Sequence, residues 1–148
     1  MGIQESLQGH ILKIDHVGFA VADLDAAVNL WARLGFAKIH EEINEPQGVR
    51  EAMLKVGQSE QCLQLLAPLS PDSTIARYLE KSGPGIQQIA FTVSDVQAAS
   101  AAARAAGFRV LYDRPAHGTS GSLINFIHPK DTGGVLVELV EPLVGNHP

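Results

Sequence analysis

The chain is written twice. Residues 14–23, IDHVGFAVAD, share one pattern with residues 86–95, IQQIAFTVSD. An offset of 72 residues holds without a gap from Ile14/Ile86 through Phe19/Phe91, Asp23/Asp95 and Ala27/Ala99 to Gly35/Gly107 and Phe36/Phe108. Further along, LQLLAP at 63–68 answers VELVEP at 137–142, where the offset has grown to 74, so two residues have entered the loops of the second copy. Each copy is about half of the 148 residues. A unit that small buries a core with difficulty alone, so the repeat predicts two copies that pair.

Within a copy the pattern predicts strand, helix, then three strands. Residues 14–21 alternate, with Val17, Phe19 and Val21 on one face and His16, Gly18 and Ala20 on the other; Ile89, Phe91 and Val93 stand against Gln88, Ala90 and Thr92 in the same way. Asp23 and Asp95 occupy helix N-cap positions before LDAAVNLWARLG and VQAASAAARAAG, and Gly35 and Gly107 suit the C-terminal caps. Each helix is expected to cover the bulky face of its strand. Strands are then expected over FAKIHEEI, VREAMLKV and QCLQLLAP in the first copy, and over FRVLYDR, SLINFIH and GVLVELVEP in the second. Ser70 before Pro71 marks the start of a connecting helix. The expected architecture is α+β: one domain over 1–148, made of two tandem βαβββ modules at about 11–68 and 84–142, with the connecting helix at about 70–82.

Four polar residues break the apolar rule for a buried strand face, and they do so in register. His16 and Gln88 match in the first strands of the copies; Gln64 and Glu138 match in the last. An unpaired buried polar group costs roughly 1 to 3 kcal/mol. Glu138 lies between Leu136 and Val140, where a carboxylate shifts toward its neutral form unless a cation or strong donors meet it. If the copies are related by a twofold, all four side chains turn toward one point. One nitrogen and three oxygen donors suit a hard or borderline divalent ion with places left for water or a bidentate substrate; structural zinc prefers cysteine and histidine in a closed shell.

Composition closes several other routes. A net charge of −5 and a pI near 5.6 leave no basic surface for nucleic acid. No apolar run approaches the roughly 20 residues needed to cross a bilayer, and the first residues, MGIQESLQGHILKI, lack a basic start followed by an apolar run, so a cytoplasmic protein without a membrane partner is expected. The single cysteine, Cys62, sits in an apolar run and reads as a core position, not a catalytic thiol. Exposed sheet edges and a small core per copy favour a homodimer.

IDHVGFAV, HEEINEPQGVREAML, LQLLAPLSPDSTIARYL and above all INFIHPKDTGGVLVELVEP resemble the vicinal oxygen chelate superfamily, and within it the methylmalonyl-CoA epimerases, over roughly residues 11–142. The resemblance implies a curved mixed sheet around a central metal, cobalt first and manganese, nickel, zinc or magnesium as alternatives. It implies metal ligands at His16, Gln64, Gln88 and Glu138. Catalytic acid and base fall on Glu51 and Glu138, which would exchange the C2 proton of a methylmalonyl thioester. The epimerases compared carry histidine, in a segment like HHIAF, where this chain has Gln88; glutamine still offers a side-chain oxygen, with lower affinity expected. Gln87 is expected on the opposite strand face. Ser120, Gly121 and Ser122 supply turn chemistry for the substrate, and Lys130 a cation for a coenzyme A phosphate. By local pattern alone, Glu51 is no different from Glu41, Glu42 and Glu45. The alternatives are a glyoxalase I-type isomerase and a metal-free protein that sequesters a small ligand.

Overall fold

Alternation and capping account for most of the elements. The computed structural model describes residues 7–143. Its elements are β1 Ile11–Ala20, α1 Leu24–Arg33, β2 Lys38–Asn44, β3 Val49–Lys55, β4 Cys62–Pro68, α2 Thr74–Ser82, β5 Gly85–Val93, α3 Val96–Ala105, β6 Ala116–His117, β7 Leu123–Ile127 and β8 Leu136–Glu141. The Asp23 carboxylate accepts from the Ala26 amide at 3.1 Å, and that of Asp95 accepts from Gln97 and Ala98. Beyond the helix ends, Gly35 and Gly107 take φ of 102° and 96°, a region glycine enters without strain. The closing bonds are the same in both: Gly35 to the Ala32 carbonyl and Phe36 to Trp31, Gly107 to Arg104 and Phe108 to Ala103.

The chain forms two compact units. A central unit spans His16–Gln87, and a split unit joins the segment up to Asp15 with Gln88 onward. In the central unit the strand order is β2-β3-β4-β1, with β1 parallel to β4 and the other neighbours antiparallel. Leu24, Ala27, Val28 and Trp31 of α1 pack on one face, against Phe19, Val21, Ala52, Leu54 and Leu65. Trp31 lies 5.3 Å from Phe19 and 5.5 Å from Phe36, ring centroid to centroid. On the other face Ile75, Tyr78 and Leu79 of α2 pack with Ala20, Val49 and Leu66.

The connecting helix starts later than Ser70–Pro71 predicts. The Ser70 carbonyl accepts from the Ser73 amide at 3.3 Å, which spends those residues on a turn. Ser73 is the cap, its Oγ accepting from Ala76 at 3.1 Å. Gly48 permits this placement, since a Cβ there would stand 3.0 Å from Ser73 Cβ.

In the split unit the order is β5-β8-β7-β6, with β5 parallel to β8. Val96, Ala99 and Ala103 of α3 cover Val93, Ile127 and Leu139. The opposite face carries Ala90, Ile124, Phe126 and Val140, with Tyr112, Ala116 and Leu136 packed against them. The N-terminal segment is tied in by the Ser94 amide donating to the His10 carbonyl at 3.2 Å and the Thr92 hydroxyl donating to Asp15 at 2.8 Å.

The strand expected over FRVLYDR does not form. Only Val110 makes a ladder bridge, to Ile127, and the second copy's first strand after its helix shrinks to Ala116–His117. Around that bridge the Leu111 amide donates to Phe126 O and the His128 amide to Arg109 O, and at Tyr112 Asn125 takes the place of a ladder partner. Fully buried, it accepts from the Tyr112 amide at 3.1 Å and donates to the Tyr112 carbonyl at 3.0 Å and to Ser100 Oγ at 3.1 Å. Backbone groups at this depth need partners of some kind, and here a side chain supplies them.

Candidate active site

Register decides which side chains share a face. In the central unit His16 lies opposite Cys62, Gly18 opposite Gln64 and Ala20 opposite Leu66. On β3, Met53 lies opposite Gln64 and Glu51 opposite Leu66. On β2, Glu42 lies opposite Glu51 and His40 opposite Met53. Side chains directly opposite across a ladder point the same way, so His16, Gln64 and Glu51 occupy the face away from α1, with Glu42 and His40 at its edge. Relative exposure is 3% for His16 and 2% for both Gln64 and Glu51.

The environment separates the four glutamates that look alike in sequence. Glu41 points to the α1 side, where hydrogen bonds from Lys38 and then Arg50 hold its carboxyl below the ordinary range. Arg50 also donates to Asp25 at 2.9 Å. Glu45 is exposed. Glu42 Oε1 and His40 Nε2 are hydrogen-bonded at 2.6 Å. Glu51 alone is buried.

In the split unit Glu138 stands between Ala90 on β5 and Phe126 on β7, with Leu136 and Val140 on its own strand face. Gln88 and Glu138 are both 6% exposed, and Gln88 Nε2 donates to Glu138 Oε1 at 2.8 Å. That bond supplies one of the strong donors a buried carboxylate requires. Gln87 alternates to the other strand face and is buried, with no hydrogen-bond partner for its Oε1 among the described residues.

The donor types suit a divalent ion. Among the described residues no three His, Cys, Asp or Glu side chains gather to hold a metal, and the expected set contains only two of those types, completed by two amides. Half a turn of the Gln88 amide exchanges Nε2 for Oε1, so the pair now joined at 2.8 Å can present two oxygens to a cation. His16 and Gln64 lie two ladder positions apart on neighbouring strands.

The expected substrate residues occupy two turns of the split unit. Ser120 has a left-handed φ of 56° and Gly121 one of 76°. The Ser122 amide donates to Thr119 O and the Gly118 amide to Ser122 O, and Ser122 is buried while Ser120 and Gly121 are exposed. A Cβ at Gly118 would meet Ile124 Cγ2 at 2.6 Å, so this turn requires glycine there. Lys130 is exposed in the short turn Pro129–Asp131, its amide donating to His128 Nδ1 at 3.1 Å. Sequence reasoning passed over His40 and gave Glu42 no role. The available signal was the His-x-Glu spacing, which puts two proton-carrying groups on one strand face.

The chain belongs to the Glyoxalase/Bleomycin resistance protein/Dioxygenase superfamily, whose pattern residues 15–126 match, and its two βαβββ modules are the vicinal oxygen chelate fold. Members of that superfamily typically bind a divalent metal. Within it, the crystal structure of methylmalonyl-CoA epimerase from Mycobacterium tuberculosis is 52% identical, with a TM-score of 0.87 over 93% of this chain and 91% of that one. A variant of the Streptomyces coelicolor methylmalonyl-CoA epimerase in complex with 2-nitronate-propionyl-CoA is 47% identical, with a TM-score of 0.87 over 90% of this chain and 99% of that one. The ethylmalonyl-CoA/methylmalonyl-CoA epimerase of Cereibacter sphaeroides is 37% identical over 86% of this chain and 96% of its own length.

Proposed function

We propose that the chain interconverts (2R)- and (2S)-methylmalonyl-CoA by removing the C2 proton to give an enolate and returning a proton to the opposite face. The observation that carries this reading is a pair of buried glutamates, Glu51 and Glu138, in a chain 52% identical to a methylmalonyl-CoA epimerase. The C2 hydrogen lies between two carbonyl groups. Inversion there needs one group per face, each able to hold or release a proton. Glu51 serves one face and Glu138 the other.

His16, Gln64, Gln88 and Glu138 would hold a divalent metal, cobalt in the first instance. When bound, it supplies positive charge that stabilises the enolate and fixes the two substrate oxygens. The turn Ser120–Ser122 would receive the substrate with its backbone amides, and Lys130 would meet a coenzyme A phosphate. The two modules work as one domain. A homodimer is supported by the exposed Ile39 and Ile43 on edge strand β2, a cytoplasmic setting by the lone cysteine, and a place in propionate metabolism by the substrate.

The test supplies one pure epimer and follows formation of the other by chiral separation. The protein is first stripped of metal and then given back cobalt. Epimerisation that is lost on stripping and restored by cobalt is expected. No epimerisation with any metal, combined with turnover of the methylglyoxal–glutathione hemithioacetal, would move the chain to the glyoxalase I reaction.

A further inference from the structure

A buried base that has taken a proton from carbon must lose it before the next turnover in the same direction. Apolar walls alone provide no route. On the central unit's polar face, the β2–β3 ladder sets a second carboxylate, Glu42, directly opposite Glu51. Opposed residues of an antiparallel pair hold their Cβ atoms roughly 4.5 to 5.5 Å apart. Two carboxylates so placed repel each other when both are ionised, unless a proton or a cation sits with them. His40, two residues before Glu42 on the same strand face, is hydrogen-bonded to Glu42 Oε1 through Nε2 at 2.6 Å. Side-chain exposure is 41% for His40 and 27% for Glu42, while Glu51 as a residue is 2% exposed, so the three groups descend from solvent to the buried carboxylate. The other charged groups of β2, Lys38 and Glu41, are engaged with each other on the α1 side together with Arg50, and stand outside this line.

We propose that His40 and Glu42 form a proton path joining Glu51 to bulk water. The proposal rests on the epimerase reading and deepens it. The proton that Glu51 takes from C2 moves to the Glu42 carboxylate, leaving Glu51 ionised. Glu42 passes it to the unprotonated Nε2 of His40 in its Nδ1–H tautomer, and the imidazolium so formed releases the Nδ1 proton to water. The reverse sequence reloads Glu51 when the reaction runs the other way. No oxidant or further reactant enters, and each step exchanges one proton for one lone pair. Glu42 and His40 thus act through Glu51 and do not touch the substrate.

Steady-state kinetics of the metal-loaded enzyme, on wild type, E42Q and H40N, test the path. Slow reloading of Glu51 limits turnover at saturation without weakening the first encounter. E42Q and H40N are therefore expected to lower kcat by about 10-fold, at the low end of what positioned proton transfer contributes, with kcat/KM changed by less than about 2-fold. Added imidazole should restore kcat in both, because a small diffusing base takes over the missing step. Circular dichroism checks that each variant folds; His40 is on the rim, so H40N carries the test if E42Q fails to fold. An active wild type whose variants keep full kcat would overturn the path, as would variants whose losses imidazole does not rescue. An inactive wild type would instead overturn the epimerase reading itself.

Discussion

The two units use one ladder register for different ends. In the central unit Glu51 has Leu66 on one side and Glu42 on the other; in the split unit Ile124 has Val140 on one side and Ala116 on the other. Leu66 and Val140 each stand two residues beyond the matched pair Gln64 and Glu138, so Ile124 is the counterpart of Glu51 and Ala116 that of Glu42. The split unit fills these positions with an apolar cluster of Ala116, Ile124, Val140 and Ala90. The duplication therefore retains polar residues at the four proposed ligand positions, while it places buried acid on β3 in one copy only. A fold that tolerates isoleucine at that place does not need a glutamate there for stability.

Changing that position breaks the comparison most sharply. E51Q is expected to lower kcat about 10³-fold, within the usual reach of general acid and base catalysis, while keeping the fold. E51I, which makes the units alike, should be equally inactive and no less stable to urea, since well-packed apolar residues often replace buried charge at no cost. The converse change, I124E, puts a carboxylate into the split unit's apolar cluster. It is expected to lose about 3 kcal/mol in urea unfolding, as an unpartnered buried charge does.

The units also differ at the position that follows. Ala52 lies opposite Leu65 where Asn125 lies opposite Leu139. N125A should cost about 2 kcal/mol, because it leaves the Tyr112 backbone and Ser100 without the partners it now gives them. Amide exchange over residues 108–115 should rise with it, while β2, the strand that fills the same place in the central unit, should be unaffected.

The smallest effect concerns acid. Arg109 hydrogen-bonds Asp131 through its side chain and backbone and lowers the carboxyl from 3.8 to about 2. A depressed carboxyl stabilises the fold above the unfolded value and loses that contribution as pH falls through the folded one. Melting curves of wild type and D131N should therefore differ modestly above pH 4 and converge between pH 4 and pH 2. The exposed position of the pair and its screening by salt limit the size of the difference.

Features set by short-range pattern were legible in the sequence. β1 and β5 followed from alternation, α1 and α3 from Asp23, Asp95, Gly35 and Gly107, and the equivalent places of Gln64 in β4 and Glu138 in β8 from the repeat. What escaped depends on distant partners. Asn125 takes over the hydrogen bonds of Tyr112 from 13 residues away, so a β-rich run such as FRVLYDR gives no local sign that its ladder is lost. Ser73 is the cap in place of Ser70, with Gly48, distant in sequence, packed beside it. The place of Glu51 on a buried face, opposite Leu66, depends on strand register with β4, which is not visible in QGVREAML. One sequence signal did exist. Set against its counterpart Ile124, Glu51 is a charge at a place the other copy keeps apolar, and Glu42 shows the same contrast with Ala116.

The most direct test is deuterium uptake at C2 of methylmalonyl-CoA in heavy water, read by mass spectrometry for wild type and E51Q, each metal-stripped and cobalt-loaded. Rapid, cobalt-dependent uptake by wild type and strongly slowed uptake by E51Q are expected. Uptake by wild type no faster than the uncatalysed rate under either condition would contradict the account, and would leave a protein of this fold that binds its ligand without exchanging the proton.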